Sequence, residues 1–483
     1  MKIKNLTLFS LLIFIILGLK SCSSDSDNNE DQETVITVST SDFSIAIDEN
    51  PENGELIGTV EGTTNQGGIT FVIIEQEPEG ALSVDAISGE LTVNDPNLFD
   101  YETQAEITAI IKVANGAVFE NSNIVITLNN VNEENVFIGD VFFLTQQEVD
   151  NFGANHYTSI TGYLSIGTFS PTPNTSINDL SPLASLTAIG GNLTISSNEA
   201  LTNLEGLNNL SAISGGIRII DNENLISINV FNNVNSISGE LFITMNDNLL
   251  NLDGLNNITT IGNSLLIQDN MSIININGLN SLTTIGEKIS ITYNDLLLNI
   301  DGLSNVEYVG VGPGGSIQIN NNLSLESING LQNITAVNGG VSIGGNSSLI
   351  NLHGVENITY IGGILSIWNN ALITSINELN GISAIGDSFY ISENPALLNF
   401  DGLQNLTFIE NDLIIQQNEE LTNLDGLINL NTVSYLKVTL NGSLVDFCGL
   451  NNLVISENIN TYQIGGNAYN PSQQDILDGN CSI

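Results

Sequence analysis

Hydrolytic or transfer chemistry needs a nucleophile with a base beside it, or a metal with its ligands. This chain of 483 residues holds only two histidines, His156 and His353, and three cysteines, Cys22, Cys448 and Cys481. It has no HExxH, no CxxC and no GxSxG at a strand-to-helix turn. Carboxylates remain. Glu205, Asp253, Asp301, Asp401 and Asp425 recur at one position of a repeat, and paired acids on one face could cleave a glycosidic bond. Coils bearing Asn mostly separate them, so they read as turn residues kept from mutual repulsion. The expectation is a protein that is not an enzyme.

The stretch that must position these residues runs from Gly191 to Leu450. Aligned on the second apolar residue, Leu193-Thr194-Ile195, Ile217-Arg218-Ile219, Leu241-Phe242-Ile243 and Leu265-Leu266-Ile267 step by 24 residues, with one coil of 28 and one of 23 further on. Such a period marks a solenoid, in which each unit buries its apolar side only by stacking on neighbours. The apolar-polar-apolar alternation is that of a strand with one face buried. Later apolar residues, three apart, suit short extended segments joined by bends. Gly206, Gly254, Gly278, Gly302, Gly330, Gly354, Gly402, Gly426 and Gly449 supply one bend, by turn chemistry that tolerates positive φ.

Three residues after the second apolar residue comes asparagine, in every coil from Asn198 through Asn222, Asn246, Asn270 and Asn294 to Asn441. An amide among leucines is costly unless paired. At a bend, each can bond its own coil's backbone and the next Asn, making a ladder. A second column, which includes Asn209, Asn233, Asn257, Asn305, Asn333, Asn357, Asn405, Asn429 and Asn452, is expected to do the same at another corner. Outward strand positions form a flat sheet of Ser, Thr, Gln and Asn, to which Phe242, Tyr293, Trp368 and Tyr390 add aromatic rings. Such rings could stack on sugars or anchor a protein contact. Trp368 and Tyr390, on neighbouring coils, are expected to act together.

The segment LxIxxN resembles the LxLxxN core of leucine-rich repeats, and the next apolar residue comes three after the Asn instead of two. That departure is similar to the receptor L-domain-like repeats of bacterial surface proteins. The resemblance implies a β-helix over roughly 300 of the 483 residues. It implies little about function, since such scaffolds host many binding activities.

Met1-Lys2-Ile3-Lys4 and the uncharged apolar run to Gly18 read as the n- and h-regions of a secretory signal. Leu19-Lys20-Ser21-Cys22 resembles a lipoprotein signal-peptidase box, with lysine as a departure, which implies a lipid on Cys22. The acidic, Ser- and Asn-rich stretch that follows cannot pack and resembles the surface-export signal of Bacteroidetes-type lipoproteins. An outer-membrane, outward-facing location follows from that resemblance. The balance of 7 basic against 54 acidic residues, net −47, leaves Lys112, Arg218, Lys288 and Lys437 as the cations beyond the signal. Phosphate backbones are held by cations, so nucleic acid is excluded as a partner.

Residues 41–134 show alternating strands at β-sandwich length. Asp48-Glu49-Asn50-Pro51, Ser88-Gly89-Glu90-Leu91, Phe99-Asp100-Tyr101-Glu102 and Asn130-Val131-Asn132-Glu133 resemble, in order, the landmarks of a cadherin repeat. The resemblance implies Ca²⁺ ligands at Glu49, Asp100, Glu102, Asn130, Asn132 and Glu133, oxygen donors that suit a hard cation. Where that family carries Asp-x-Asp, this chain has Val113-Ala114-Asn115.

Thr145-Gln146-Gln147-Glu148 is a capping box, with Leu144 and Val149 as its staple. Asn470-Pro471 is expected to open a second short helix through Leu477. Cys448 and Cys481 lie in that terminal cap, and in an exported protein a disulfide outweighs a metal site or a catalytic thiol.

The chain therefore reads as all-β. It divides into a signal (1–21), an acidic tether (22–40), a cadherin-like Greek-key β-sandwich (41–134), a helical cap (135–160), a right-handed single-stranded β-helix of L-domain or leucine-rich type (161–455) and a second cap (456–483). The expected function is non-catalytic adhesion or binding of a protein or glycan at the cell surface, with the membrane touched only through the lipid. Glycan capture for polysaccharide uptake and a carboxylate-dependent β-helix enzyme are the alternatives.

Overall fold

The computed structural model describes residues 34–131, 135–168, 176–310 and 314–483. Cys22, the signal and most of the tether, and Asn132 and Glu133 among the expected calcium ligands, lie outside the described residues. The fold is all-β, with strands throughout and only short helices among the described residues. The chain divides into two compact units, Met1–Asn132 and Glu133–Ile483.

In the first unit, a four-stranded sheet orders Phe43–Asp48, Val118–Asn129, Glu106–Asn115 and Thr70–Glu77, the first pair parallel and the others antiparallel. A three-stranded sheet of Leu56–Thr59, Glu90–Val93 and Leu82–Val84 shares one core with it, in which Ile57, Leu82 and Leu91 meet Phe71, Ile111 and Ile124. Strand Val38–Thr40 pairs with Gly62–Thr64, so the unit begins inside the stretch expected to be tether.

In the second unit, fourteen parallel strands from Val141–Phe143 to Thr461–Gly465 stack in one sheet. Its first and last strands fall in the segments expected to be caps. Register places Ile195 against Ile219 and Ile219 against Ile243, so inward residues form columns. These side chains are fully buried, each contributing about 1.5–3 kcal/mol against its exposed reference. Two-residue strands such as Ala188–Ile189 and Ala212–Ile213 make a second ladder, and single 3-10 turns such as Asn277–Leu279 and Asp301–Leu303 make the remaining corner in several coils.

The asparagine ladder gives every buried side-chain amide nitrogen in it at least one acceptor, and Asn246 shows the pattern. Asn246 Nδ2 donates to Ile219 O in the preceding coil (2.9 Å), to Thr244 O in its own (2.9 Å) and to Asn270 Oδ1 in the next (3.3 Å). Its backbone N–H donates to that same Oδ1 at 3.1 Å. The chain of bonds runs past Asn441 to Asn467 and Asn470, which the repeat pattern had not included. The second column behaves differently. Asn257 Nδ2 donates to Asn232 O at 2.6 Å and Asn305 Nδ2 to Asn280 O at 2.6 Å, each an exposed tie to the preceding coil's backbone and not to another asparagine side chain. At that corner the side chains face water, which satisfies their remaining groups.

The glycine column also has a different cause from the one expected. Gly278 has no positive φ; a Cβ there would lie 1.9 Å from Leu252 O of the preceding coil. Gly206 does adopt φ +108°, yet its Cβ would meet Leu180 O at 1.8 Å all the same. Close approach of coils is the common requirement. The left-handed residue instead precedes the ladder asparagine, at Met245 (φ 56°), Tyr293 (φ 58°) and Leu440 (φ 60°) among others.

Helix α1, Gln146–Gly153, carries the capping box between Thr145 and Glu148. Val149 is buried but Leu144 stays 51 % exposed, so the staple is only partly closed. The end of the stack is covered instead by Phe152, whose ring centroid lies 5.4, 5.3 and 4.9 Å from those of Phe137, Phe143 and Tyr157. At the other end stand α2, Asn451–Ile455, which was not expected, and α3, Gln473–Leu477. Ser472 and Asp475 cap α3, in place of Asn470-Pro471, because Asn470 is occupied in the ladder. Cys448 and Cys481 form a disulfide, with Cα atoms 4.9 Å apart.

Candidate functional site

Glu49 follows strand Phe43–Asp48 directly, and its backbone N–H donates to Asn129 O at 3.2 Å, which fixes where its side chain starts. The carboxylate is 4 % exposed. Its Oε2 accepts from Tyr101 N at 2.6 Å and its Oε1 from Val131 N at 2.6 Å, so it joins two loops more than 25 residues apart in sequence. Asp100 closes its own turn through Glu102 N (3.0 Å), Thr103 N (3.2 Å) and the Thr103 hydroxyl (2.6 Å). That hydroxyl leads the causes that hold the Asp100 carboxyl below its ordinary value, with burial opposing. Glu102 Oε1 accepts from Asn130 Nδ2 at 2.6 Å.

Carboxylate oxygens of Glu49, Asp100 and Glu102 lie within 4.8 Å of one another. Four of the six residues expected at a calcium site are thus brought together; the other two lie outside the described residues. The missing Asp-x-Asp does not disturb this cluster. Asn115 stands at the far end of the ten-residue strand Glu106–Asn115, roughly 30 Å along it, where its Nδ2 bonds Thr64 Oγ1 and Gln66 O.

The four aromatic residues of the sheet face do not form one patch. Trp368 sits opposite Gly344 in the preceding strand, its ring lies across that glycine, and its Nε1 donates to Ser342 Oγ at 3.4 Å. Tyr390 donates from its hydroxyl to Asp412 Oδ2 in the following coil, also at 3.4 Å. The expected pair therefore leans apart, because glycine leaves space on one side and a carboxylate accepts on the other. Phe242 is in register with Arg218 and Leu266, six strands or roughly 29 Å from Tyr390. Tyr293 lies past the end of its strand, at the corner.

What the face offers near Trp368 is a groove. Gly339, Gly340, Gly362 and Gly363 line it with Ser316, Gln318, Ser342, Ser366 and Asp387. Most other coils carry a larger residue at one or both of these positions, such as Glu287 and Lys288, although Gly215-Gly216 repeat the pair. The sequence signal was the Gly-Gly pairs just before the strand. Within the groove Gly340-Val341-Ser342-Ile343-Gly344 spells GxSxG, but most of it is strand Val341–Gly344, with no helix following.

The carboxylate column is turn chemistry. Asp253 N donates to Asn251 Oδ1 at 3.0 Å, Asp301 N to Asn299 Oδ1 at 3.2 Å and Asp425 N to Asn423 Oδ1 at 3.2 Å. Glu205 and Asp401 repeat the pattern. Burial first, then the charges of Asp446 and Asp401, push the Asp425 carboxyl up, so where two acids do become neighbours they repel. His353 occupies the same position, its Nδ1 2.8 Å from Glu356 Oε1 and 3.4 Å from Glu378 Oε1. Sequence reasoning also passed over a row of exposed aliphatic residues, Ile226, Leu250, Ile274 and Leu298. Their signal was the apolar doublet: each follows a core residue, so one of the two must face out.

Residues 156–254 match the Receptor L domain family. No curated protein matches the chain. Among solved structures it is similar to a protocadherin gammaB7 EC3-6 cis-dimer structure, at 16 % identity over 22 % of this chain and 30 % of that one, with a TM-score of 0.19. It is also similar to human protocadherin-24 EC1-2 (14 %, over 20 % and 48 %, TM-score 0.17) and mouse cadherin-23 EC22-24 (19 %, over 22 % and 38 %, TM-score 0.18). In each case the chain covers less than half of the other protein.

Proposed function

We propose that this protein is a non-catalytic ligand-binding or adhesion protein of the cell surface, lipid-anchored through Cys22 to an outer membrane, with the solenoid as its contact surface. The observation that carries the reading is the unbroken fourteen-strand sheet, whose outward face holds the glycine-lined groove beside Trp368. A pre-formed concavity lined by glycines and by several hydroxyl and amide groups, with an indole bonded to Ser342 of its lining, suits a glycan or an extended polar peptide. The match of residues 156–254 to a receptor domain family supports the same reading.

Binding by the parent and by Trp368→Ala on a glycan and protein array tests it. The expected result is a small set of ligands on the array, each bound at least about tenfold more weakly by the variant, as for loss of an aromatic anchor. Binding spread evenly over the array, or identical for both proteins, would count against the groove. Glycan capture is the reading favoured within this class, because hydroxyl and amide groups line the groove, its one carboxylate is Asp387, and the Trp368 indole is bonded to Ser342 of that lining.

Glu49, Asp100, Glu102 and Asn130 would hold a calcium ion in the first unit. The three carboxylates supply the hard oxygen donors, and rotating the Asn130 amide, whose nitrogen now faces Glu102, would present a fourth oxygen. When bound, the ion would offset two of the three clustered negative charges. Calorimetric titration of the full chain with Ca²⁺ is expected to give a saturable signal that Glu102→Gln weakens at least about tenfold, the loss usual even for an outer-shell partner of a ligand. No heat with the parent protein, or none of it sensitive to Glu102, would remove calcium from the reading.

A further inference from the structure

Four consecutive coils carry a doublet of large aliphatic residues after the ladder asparagine: Leu225-Ile226, Leu249-Leu250, Ile273-Ile274 and Leu297-Leu298. The first of each is in the core, and the second is 54, 50, 45 and 43 % exposed. Backbone bonds from Ile226 N to Thr202 O, Ile274 N to Leu250 O and Leu298 N to Ile274 O hold these segments in register. The exposed residues therefore form a column that steps roughly 4.8 Å per coil.

Met271, Leu296 and Leu323 stand on the same segments, 41, 51 and 47 % exposed, and Met245 occupies the corner at 51 %. Single exposed leucines are ordinary on any protein. A contiguous set of this size presents several hundred Å² of apolar surface, which soluble proteins seldom leave without a partner.

The charge around this surface selects the partner. Met245 and Met271 line one concavity with Asp221, Glu223, Asp247 and Asp269. Among the described residues none of these four carboxylates has an ion-pair partner. Burial, and after it the charge of Asp247, push the Asp269 carboxyl up, a repulsion that an incoming cation would relieve. The chain itself has little positive charge to offer: 7 basic residues against 54 acidic. Of the two basic residues on these coils, Arg218 is already paired with Glu240 at 2.6 Å, and Lys288 stands before its strand Ile289–Thr292, at the opposite end from the ladder asparagine. A second copy would set carboxylate against carboxylate, and an anionic membrane would be repelled for the same reason. A lysine or arginine side chain fits, because its stem can pack on methionine while its charged end reaches the acids.

We propose that the bend side of the coils between Asp221 and Leu323 is a docking surface for a cationic amphipathic segment of another protein. Aliphatic side chains of that segment lie on the column of Ile226, Leu250, Ile274 and Leu298, and a lysine or arginine enters the concavity of Met245 and Met271. This surface is distinct from the sheet face with Trp368, so each can fail without the other.

The test uses the full chain, EDTA to remove divalent cations, and two helical peptides of equal length, one of leucine and lysine and one of leucine and glutamate. The expected result is saturable binding of the lysine peptide only, weakening as salt rises. Ile226→Ser, Leu250→Ser, Ile274→Ser and Leu298→Ser combined weaken it at least tenfold, and Asp247→Asn with Asp269→Asn weakens it severalfold. Ile350→Ser with Leu398→Ser, at the same repeat position further along, changes nothing. All these side chains point outward, and unchanged melting curves establish that the variants fold. Binding of both peptides alike, undiminished binding by the fourfold variant, or loss in the Ile350 and Leu398 control would each overturn the proposal. So would sedimentation showing that the parent dimerises through this face.

Discussion

Replacing Asn294 by leucine is expected to destabilise the solenoid by about 3 kcal/mol, from the buried Asn270 N–H orphaned at roughly 1–3 kcal/mol and further buried bonds lost at about 1 kcal/mol each. Asn294 Oδ1 accepts from both the backbone N–H and the amide of Asn270, each at 3.2 Å, and both donors are buried. Asn294 Nδ2 in turn donates to Ile267 O at 3.0 Å and Thr292 O at 3.1 Å. Leucine fills much of the volume but accepts nothing from the buried Asn270 N–H, while the Asn270 amide keeps Ile243 O and Gln268 O and Thr292 O keeps Asp269 N. Asn257→Ala is the contrast. It removes one exposed bond, to Asn232 O, and is expected to cost no more than about 1 kcal/mol. Urea denaturation of both variants, with limited proteolysis to find the cleavage point, checks the difference. Equal destabilisation by the two would mean that the inner ladder does not carry the load assigned to it. In a repeat protein each coil depends on its neighbours, so cleavage of Asn294→Leu is expected near residue 294 and not at the caps.

Gly278→Ala is expected to cost at least about 3 kcal/mol, at or above the usual range for overpacking. The new Cβ would stand 1.9 Å from Leu252 O and 2.4 Å from Leu252 C. Both are backbone atoms, so no rotamer change can yield, and the coils at 252 and 278 must separate. Gly465→Ala, whose Cβ would have nothing within 4 Å, is the control and is expected to be nearly neutral. A melting temperature for Gly278→Ala equal to that of Gly465→Ala would mean that the stack adjusts more freely than close packing of interiors allows.

Much of this molecule was legible because a repeat states its rule many times. Leu193, Ile195 and Asn198 mean little alone, but the same spacing coil after coil leaves one buried strand face and one buried amide column as the consistent solution. Thr145 with Glu148, and Cys448 with Cys481, were legible for another reason: each is a local or compartment-dependent chemistry that needs no knowledge of the rest of the fold. The left-handed corner was not legible. Asp221, Met245, Tyr293 and Leu440 share no side-chain property, and only the backbone geometry between the strand and the anchored asparagine forces positive φ on them.

The sites divide in the same way. Which residue types could bind was visible in the chain: Glu49, Asp100 and Glu102 as oxygen donors, Trp368 and Tyr390 as rings. Their partners were decided by contacts across coils and loops. Gly344 draws the indole one way and Asp412 draws the phenol the other, which no single-coil pattern can express. Sequence by itself determined the period, the buried columns and the strongly acidic surface, because hydrophobic burial and amide pairing act within the repeat and recur with it. Tertiary structure alone decided which bends are glycine for want of space, which asparagines bond each other, and where exposed aliphatic residues line up into a surface, because all three depend on how closely one coil's backbone lies against the next.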